Sequence, residues 1–133
     1  MSVWRQKAID CAPELKKEFE QSDLNLYTVF MELLPILRQA HKDNDYERLK
    51  KIYDFAEWCF KQKDKNLWNP AGVCFYEHLG DTDETFLAFT NWIKKDVYLD
   101  IRGLLYQRLD DDKMKRLDDY YGWKDPKRKS HYR

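Results

Sequence analysis

Apolar residues recur every three or four positions through almost the whole chain, and this spacing limits the fold more than any other feature. Between Leu26 and Ala40, for example, the apolar residues advance in steps of four, three, four and three. That spacing places them on one side of an α-helix, whereas a half-buried strand would show the strict alternation that is almost absent here. Only 4 Gly and 4 Pro interrupt the 133 residues. The sequence therefore predicts an all-α fold built as one domain.

The helical pattern divides into six to eight short helices with short connections, which favours antiparallel neighbours. Pairing the helices in chain order predicts hairpins at 24–63, 69–93 and 96–122. Three such hairpins would also fit a right-handed layer resembling HEAT repeats, although no residue-level repeat indicates one.

Local signals predict where particular helices begin, bend or end. Asn44 begins a pattern that resembles a capping box. Asn69 followed by Pro70 predicts an N-cap with proline at the first helical position. We expect this helix to run to Leu79 and, because it is apolar nearly all round, to lie at the centre of the domain. Pro35 is expected to kink the helix that contains it.

The charge balance separates a helical body, residues 1–123, from a basic tail, residues 124–133. The tail has five basic residues and one acidic residue, a net charge of +4, so the rest of this neutral chain carries −4. A mildly acidic body disfavours nucleic-acid binding, which requires a basic face. The tail has little apolar surface to offset the entropy lost on ordering, so we predict that it is flexible. Contact of the tail with nucleic acid is the remaining alternative for that class of partner.

The composition also indicates in which cellular compartment the protein works. No stretch approaches the ~18 uninterrupted apolar residues of a membrane helix, and the N-terminus lacks the pattern of a secretory leader. The 3 cysteines are odd in number and widely spaced, which argues against a disulfide framework. We expect a cytoplasmic protein with reduced thiols and no membrane contact.

One group of residues has the chemistry of a catalytic or metal site. Cys74 and His78 lie one helical turn apart beside Glu77, and Cys59 or His41 of the preceding hairpin are possible neighbours. A thiolate and an imidazole at this spacing could share a metal or form a nucleophile with its base. A soft four-ligand site normally shows two close pairs, however, and here there is one. We therefore interpret these residues as packing and expect no cofactor, with a small enzyme or metal protein as the alternative.

Five other residues are candidates for binding a protein partner. Trp58, Trp68 and Trp92 belong to a residue type that is enriched both in cores and at the energetic centres of interfaces. Asp111 and Asp118 belong to the densest acidic cluster, which suits either a helix start or a docking face for a basic partner. The sequence leaves the partner and the oligomeric state open.

Two segments, Ile52–Cys59 and Trp68–Leu79, together with Pro13–Leu15, resemble a family of small bacterial all-helical proteins of unknown function. The resemblance covers most of residues 10–110 and implies a bacterial, intracellular domain without an assigned catalytic residue. Small helical proteins of this sort resemble the immunity or antitoxin partners of secreted toxins. The leading hypothesis is therefore a non-enzymatic protein-binding module.

Overall fold

The computed structural model describes residues 1–125, and this part of the chain contains only helices, turns and loops. The α-helices are α1 Val3–Cys11, α2 Lys16–Phe19, α3 Leu26–Asp43, α4 Tyr46–Phe60, α5 Lys65–Cys74, α6 Asp83–Leu87, α7 Phe89–Trp92, α8 Lys95–Tyr106 and α9 Asp111–Tyr121. Two 3₁₀ turns lie at Pro13–Leu15 and Tyr76–His78. The predicted all-α fold is confirmed. Residues 1–125 contain more α-helices than the six to eight predicted, partly because the backbone at Ala88 separates α6 from α7 as two short helices.

The core is built around α3, α4 and α5. A two-residue connection joins α3 to α4, and the two helices pack on each other as the first predicted hairpin. The ring of Phe30 on α3 stacks on Phe55 of α4 at 5.3 Å between centroids, and it also meets Phe75, which follows α5, at 5.6 Å. α1 covers the other side of α4. This aromatic centre holds the long helices at fixed positions, because interior side chains are close-packed.

The second predicted hairpin is replaced by a different arrangement. α5 packs most extensively against α3 and α4, and α6 packs against α3. The physical reason is that a helix that is apolar nearly all round needs cover on several sides. α8 and α9 pack on each other as the third hairpin predicts, with the rings of Tyr98 and Tyr121 stacked at 4.3 Å. A HEAT-like layer stays a prediction.

The start of α4 differs from the prediction in the identity of the capping residue. Asp45, not Asn44, is the N-cap, and its side chain accepts a hydrogen bond from the backbone N–H of Arg48 at 3.2 Å. Asn44 instead ends α3 with a left-handed backbone, φ 54°. Asparagine tolerates that conformation better than most residues, which suits it to the end of a helix.

The start and the end of α5 also differ from the prediction. Asp64 caps the helix by accepting from the N–H of Asn66, so the helix begins five residues before Pro70 and runs through it. The helix ends at Cys74, because Phe75 has φ −121° and ψ −73°, and a 3₁₀ turn follows in place of the expected helix to Leu79. The helix therefore begins after the aspartate N-cap and not at the asparagine–proline pair, because aspartate is among the residues that cap helices best.

α3 continues through Pro35 as one helix. Gly122 ends α9 with φ 75°, a conformation that favours glycine. Residues 126–133, which make up most of the predicted basic tail, lie outside the described residues. Within residues 1–125, no helix combines the length and the apolar character that crossing a bilayer would require.

Candidate functional site

The segment from Cys74 to Asp81 is largely part of the core. Phe75, Tyr76 and Leu79 are buried, as the sequence predicted for the apolar stretch. The three groups with possible chemistry, Cys74, Glu77 and His78, lie instead at its half-buried edge. This edge is the first candidate for a site.

The imidazole of His78 is held by an internal ion-pair network. Its Nδ1 lies 2.8 Å from Asp81 Oδ2, and the same carboxylate accepts a hydrogen bond from Arg108 Nη2 at 2.9 Å. Glu77 Oε2 lies 4.0 Å from His78 Nε2. Burial raises the pKa of Asp81, but the hydrogen bonds from His78 and Arg108 outweigh it and hold the pKa below its ordinary value. The network ties the turn after the 3₁₀ segment to the end of α8.

The thiols of this region are protonated at neutral pH. Burial, and secondly the charge of Glu77, raise the pKa of Cys74. Burial raises the pKa of Cys59 to about 12. Because the thiolate is the reactive form, both cysteines are weak nucleophiles.

His41 is engaged elsewhere, since its Nε2 is hydrogen-bonded to Tyr53 Oη at 2.7 Å. In the described part of the chain, no group of three or more His, Cys, Asp or Glu side chains is arranged so that it could hold a metal ion. The structure therefore does not bring the predicted candidates together as one site.

The three candidate tryptophans differ in environment. Trp58 is half-buried, with Lys7 Nζ 5.3 Å from its ring. Trp68 is the most exposed of the three, at 37%. Trp92 is half-buried and stacks on Tyr53 at 4.9 Å with an interplanar angle of 9°.

The two candidate aspartates also differ. Asp111 is exposed in the first turn of α9. Asp118 accepts two hydrogen bonds from Arg102, each 2.8 Å long, and another from the hydroxyl of Tyr98. The carboxylate of Asp118 is thus committed to an internal pair, and its predicted role in partner binding stays a prediction.

Two open depressions flank α7 and share Asn91, and we call them together the α7 surface. The acidic depression, of about 430 Å³, lies where the end of α3 meets α6 and α7. Its lining residues are His41, Asp83, Glu84, Leu87, Ala88 and Asn91. The basic depression, of about 600 Å³, includes Trp92, Lys94, Lys95 and Tyr120 in its lining. Leu87 and Tyr120 are each 63% exposed, so each depression has one large side chain open to solvent.

The acidic depression keeps its negative charge at neutral pH. Glu84 accepts a backbone hydrogen bond at the start of α6, which with Lys42 holds the pKa of its carboxyl below the ordinary value. Lys42 Nζ lies 3.6 Å from Glu84 Oε1. Burial lowers the pKa of His41, so its imidazole is neutral and adds no positive charge. The carboxylate of Asp83 adds a second negative charge beside it.

Sequence reasoning found only one member of the α7 surface as a partner-binding candidate, Trp92. The other members come from three separate parts of the chain, so no single local motif joins them all. One signal was present, because the apolar spacing of Phe86, Phe89 and Ile93 leaves Leu87 outside the buried side of its helix. A leucine outside the stripe is a candidate for an exposed contact.

Comparison with known proteins gives one match. The model of a family described as "Domain of unknown function (DUF7674)" matches residues 5–110. The curated proteins and the solved structures gave no match.

Proposed function

Because the chain belongs to the DUF7674 family, whose description assigns no activity, we propose that it is a non-enzymatic module that binds another protein through the α7 surface. It works in the bacterial cytoplasm in the manner of an immunity or antitoxin protein, by covering a functional region of its partner.

The observation that carries this proposal is the composition of the α7 surface. Leu87 and Tyr120 project from two adjoining depressions, with Trp92 between them in sequence and in the wall of one depression. Tryptophan and tyrosine are the residue types that most often dominate the binding energy of an interface. Trp92 is also fixed by its stacking on Tyr53, so little side-chain entropy would be lost on binding.

The charge of the surface defines the partner further. Asp83 and Glu84 lie on one side of α7, and Lys94 and Lys95 lie on the other. Lys94 is partly neutralised by Glu57 at 2.9 Å, and Glu84 is partly neutralised by Lys42 at 3.6 Å, so each side of the surface has one paired charge and a second charged side chain. Complementary charges steer association and select among partners. We expect a partner that presents a basic group to Asp83 and an acidic group to Lys95, with an apolar group between them.

The state of the candidate catalytic groups supports a non-enzymatic role. His78 already donates to Asp81, and the thiol of Cys74 is held in its protonated form. A nucleophile and base pair would need a direct hydrogen bond between them and a lowered thiol pKa. Neither feature describes these two side chains.

The proposal is tested by retention of a partner on immobilised protein from a lysate of the source organism. We expect the wild type to retain a stoichiometric protein that Leu87→Asp and Tyr120→Ala lose. Met31→Asp is the matched control, because Met31 is 64% exposed on α3 and lies outside the α7 surface. Equal retention by Leu87→Asp and Met31→Asp would exclude the α7 surface. A toxin gene next to the gene for this chain would support the immunity form of the proposal.

A further inference from the structure

The two ring nitrogens of His41 have different surroundings. Nε2 lies 2.7 Å from the hydroxyl oxygen of Tyr53, a residue that is only 4% exposed. Nδ1 has no hydrogen-bond partner among residues 1–125. Nδ1 is also not enclosed, because Arg38 Nε is the one side-chain nitrogen or oxygen of that part of the chain that is both buried and unpaired. Since His41 lines the acidic depression, its accessible nitrogen is available to a ligand there.

The buried hydroxyl of Tyr53 decides which nitrogen of His41 carries the proton. Burial raises the pKa of Tyr53, so its hydroxyl keeps its own proton at neutral pH. Within the described residues, His41 Nε2 is the hydroxyl's only hydrogen-bond partner. If Nε2 carried a proton, the hydroxyl proton would have no acceptor, and an unpaired buried donor is costly. The imidazole is therefore neutral, with its proton on Nδ1.

The ring of Tyr53 is fixed by its neighbours, so the hydroxyl stays beside His41. Trp92 stacks on this ring at 4.9 Å between centroids, and the ring of Phe75 meets it edge-on at 5.9 Å. The rings of Tyr53 and His41 meet at an angle of 69°, with 5.8 Å between centroids. Close packing of this kind leaves a side chain little freedom to turn. Trp92 thus connects the hydrogen bond to the α7 surface.

The groups around His41 give the acidic depression both acceptors and a donor. On α6, Asp83 and Glu84 supply two carboxylates. On α3, Lys42 follows His41 in sequence, and its ammonium group lies 3.6 Å from Glu84. Tyr53 of α4 carries no charge. A ligand that satisfies this set has a cationic group for the carboxylates and, beside it, an oxygen that accepts from Nδ1–H.

We infer that Tyr53 is a positioning residue that holds the proton of His41 on Nδ1, and that His41 thereby selects a cationic group with a hydrogen-bond acceptor beside it. The selection of a partner in this way rests on the proposed function, because it concerns the same depression. The position of the proton does not, because it is a property of the free protein.

The position of the proton is tested by nitrogen-15 NMR of the histidine rings in the full chain at neutral pH, without a partner. We expect the His41 resonances to show an unprotonated Nε2 and a protonated Nδ1. Tyr53→Phe should remove this preference and raise the pKa of His41, because the neutral ring no longer accepts a hydrogen bond. Tyr27→Phe should leave both resonances unchanged. It is the matched control, because the Tyr27 hydroxyl is also hydrogen-bonded, to Asn69, but lies about four helical turns before His41 on α3.

The selection is tested with two small cations of nearly the same shape, whose binding is followed by the chemical shifts of the residues lining the acidic depression. The methoxyethylammonium ion has an ether oxygen that can only accept a hydrogen bond, and the butylammonium ion has a methylene group in its place. We expect the ratio of their dissociation constants to favour the methoxy ion by about two- to tenfold more in the wild type than in Tyr53→Phe. Tyr27→Phe should keep the wild-type ratio.

The outcomes separate this inference from the proposed function. If Tyr53→Phe folds poorly, His41→Leu, which removes the donor from a half-buried side chain, should lower the ratio to the same extent. An unprotonated Nδ1 in the wild type would overturn the inference, as would an unchanged ratio in these variants or the binding of neither cation. None of these results depends on partner retention by Leu87→Asp, so either claim can fail while the other stands.

Discussion

The segment from Cys74 to Asp81 and the α7 surface contain similar kinds of side chain and use them differently. In the segment, His78 and Asp81 pair with each other and Leu79 is fully buried. On the α7 surface, Leu87 is exposed and Asp83 faces an open depression. Reactive side chains that are close in sequence can therefore pair with one another and be unavailable to a partner. The side chains of the α7 surface remain accessible, and they come from parts of the chain that are distant in sequence.

We call the segment from Cys74 to Asp81 the closed segment. The largest expected effect on stability comes from truncating a leucine in it. Leu79→Ala should lower the free energy of unfolding by about 2–5 kcal/mol, because a fully buried leucine leaves a cavity. Urea unfolding followed by circular dichroism measures this. A loss under about 1 kcal/mol would show that the segment is not part of the core.

A hydrogen bond that joins the two regions gives the next largest effect. The hydroxyl of Thr85, on α6, donates to the backbone carbonyl of Leu79, and both residues are fully buried. Thr85→Val keeps the shape and leaves the carbonyl unpaired, so we expect a loss of about 1–3 kcal/mol.

The control for this substitution is Thr28→Val on the exposed side of α3, which should change stability little. If the two variants were equally stable, the bond between α6 and the closed segment would contribute nothing to stability.

The ion pair of the closed segment should appear in the pH dependence of stability. The pKa of Asp81 is held below its ordinary value of 3.8 in the folded chain, so its contribution is complete above that value and is lost as pH falls through the lower folded pKa. Asp81→Asn should therefore lower stability at neutral pH and show a shallower decline on acidification. Urea midpoints measured at successive pH values give the result.

Asp23→Asn, a change at an exposed position between α2 and α3, is the matched control for this series and should follow the wild-type profile. A wild-type profile for Asp81→Asn as well would mean that the pair with His78 and Arg108 adds no stability.

The smallest expected effect on stability comes from a substitution on the α7 surface. Leu87→Ala removes the same atoms as Leu79→Ala but from an exposed position, so the free energy of unfolding should change by at most about 0.5 kcal/mol. The same urea experiment measures both. A large loss at Leu87 would mean that this side chain packs within the protein and is unavailable to a partner.

Sequence patterns were sufficient for the helices and for the buried side of the long ones. The spacing from Leu26 to Ala40 identified the core side of α3. Helix ends were less predictable where two caps compete, as at Asn44 and Asp45, because a one-residue choice depends on the backbone that tertiary packing selects.

The candidate site was less predictable than the fold, for a physical reason. The α7 surface combines His41 with residues 83–95 and with Tyr120, and only the packing of α3, α6 and α9 brings them close. The sequence identified Cys74, Glu77 and His78 as candidates because they are close together along the chain. The same closeness places them at the edge of the buried 3₁₀ turn, where they pack against the core. Local spacing reports the face of a helix and not the neighbour that covers it.

The most direct test of the central claim is amide hydrogen exchange of the wild-type protein, resolved by residue. The N–H of Leu79 donates to Tyr76 O at 3.2 Å inside the core segment. We predict that this amide exchanges only through global unfolding, with an opening free energy equal to that obtained from urea. Exchange of the Leu79 amide through local opening at a much lower free energy would contradict the account, because a segment that opens on its own is not packing material.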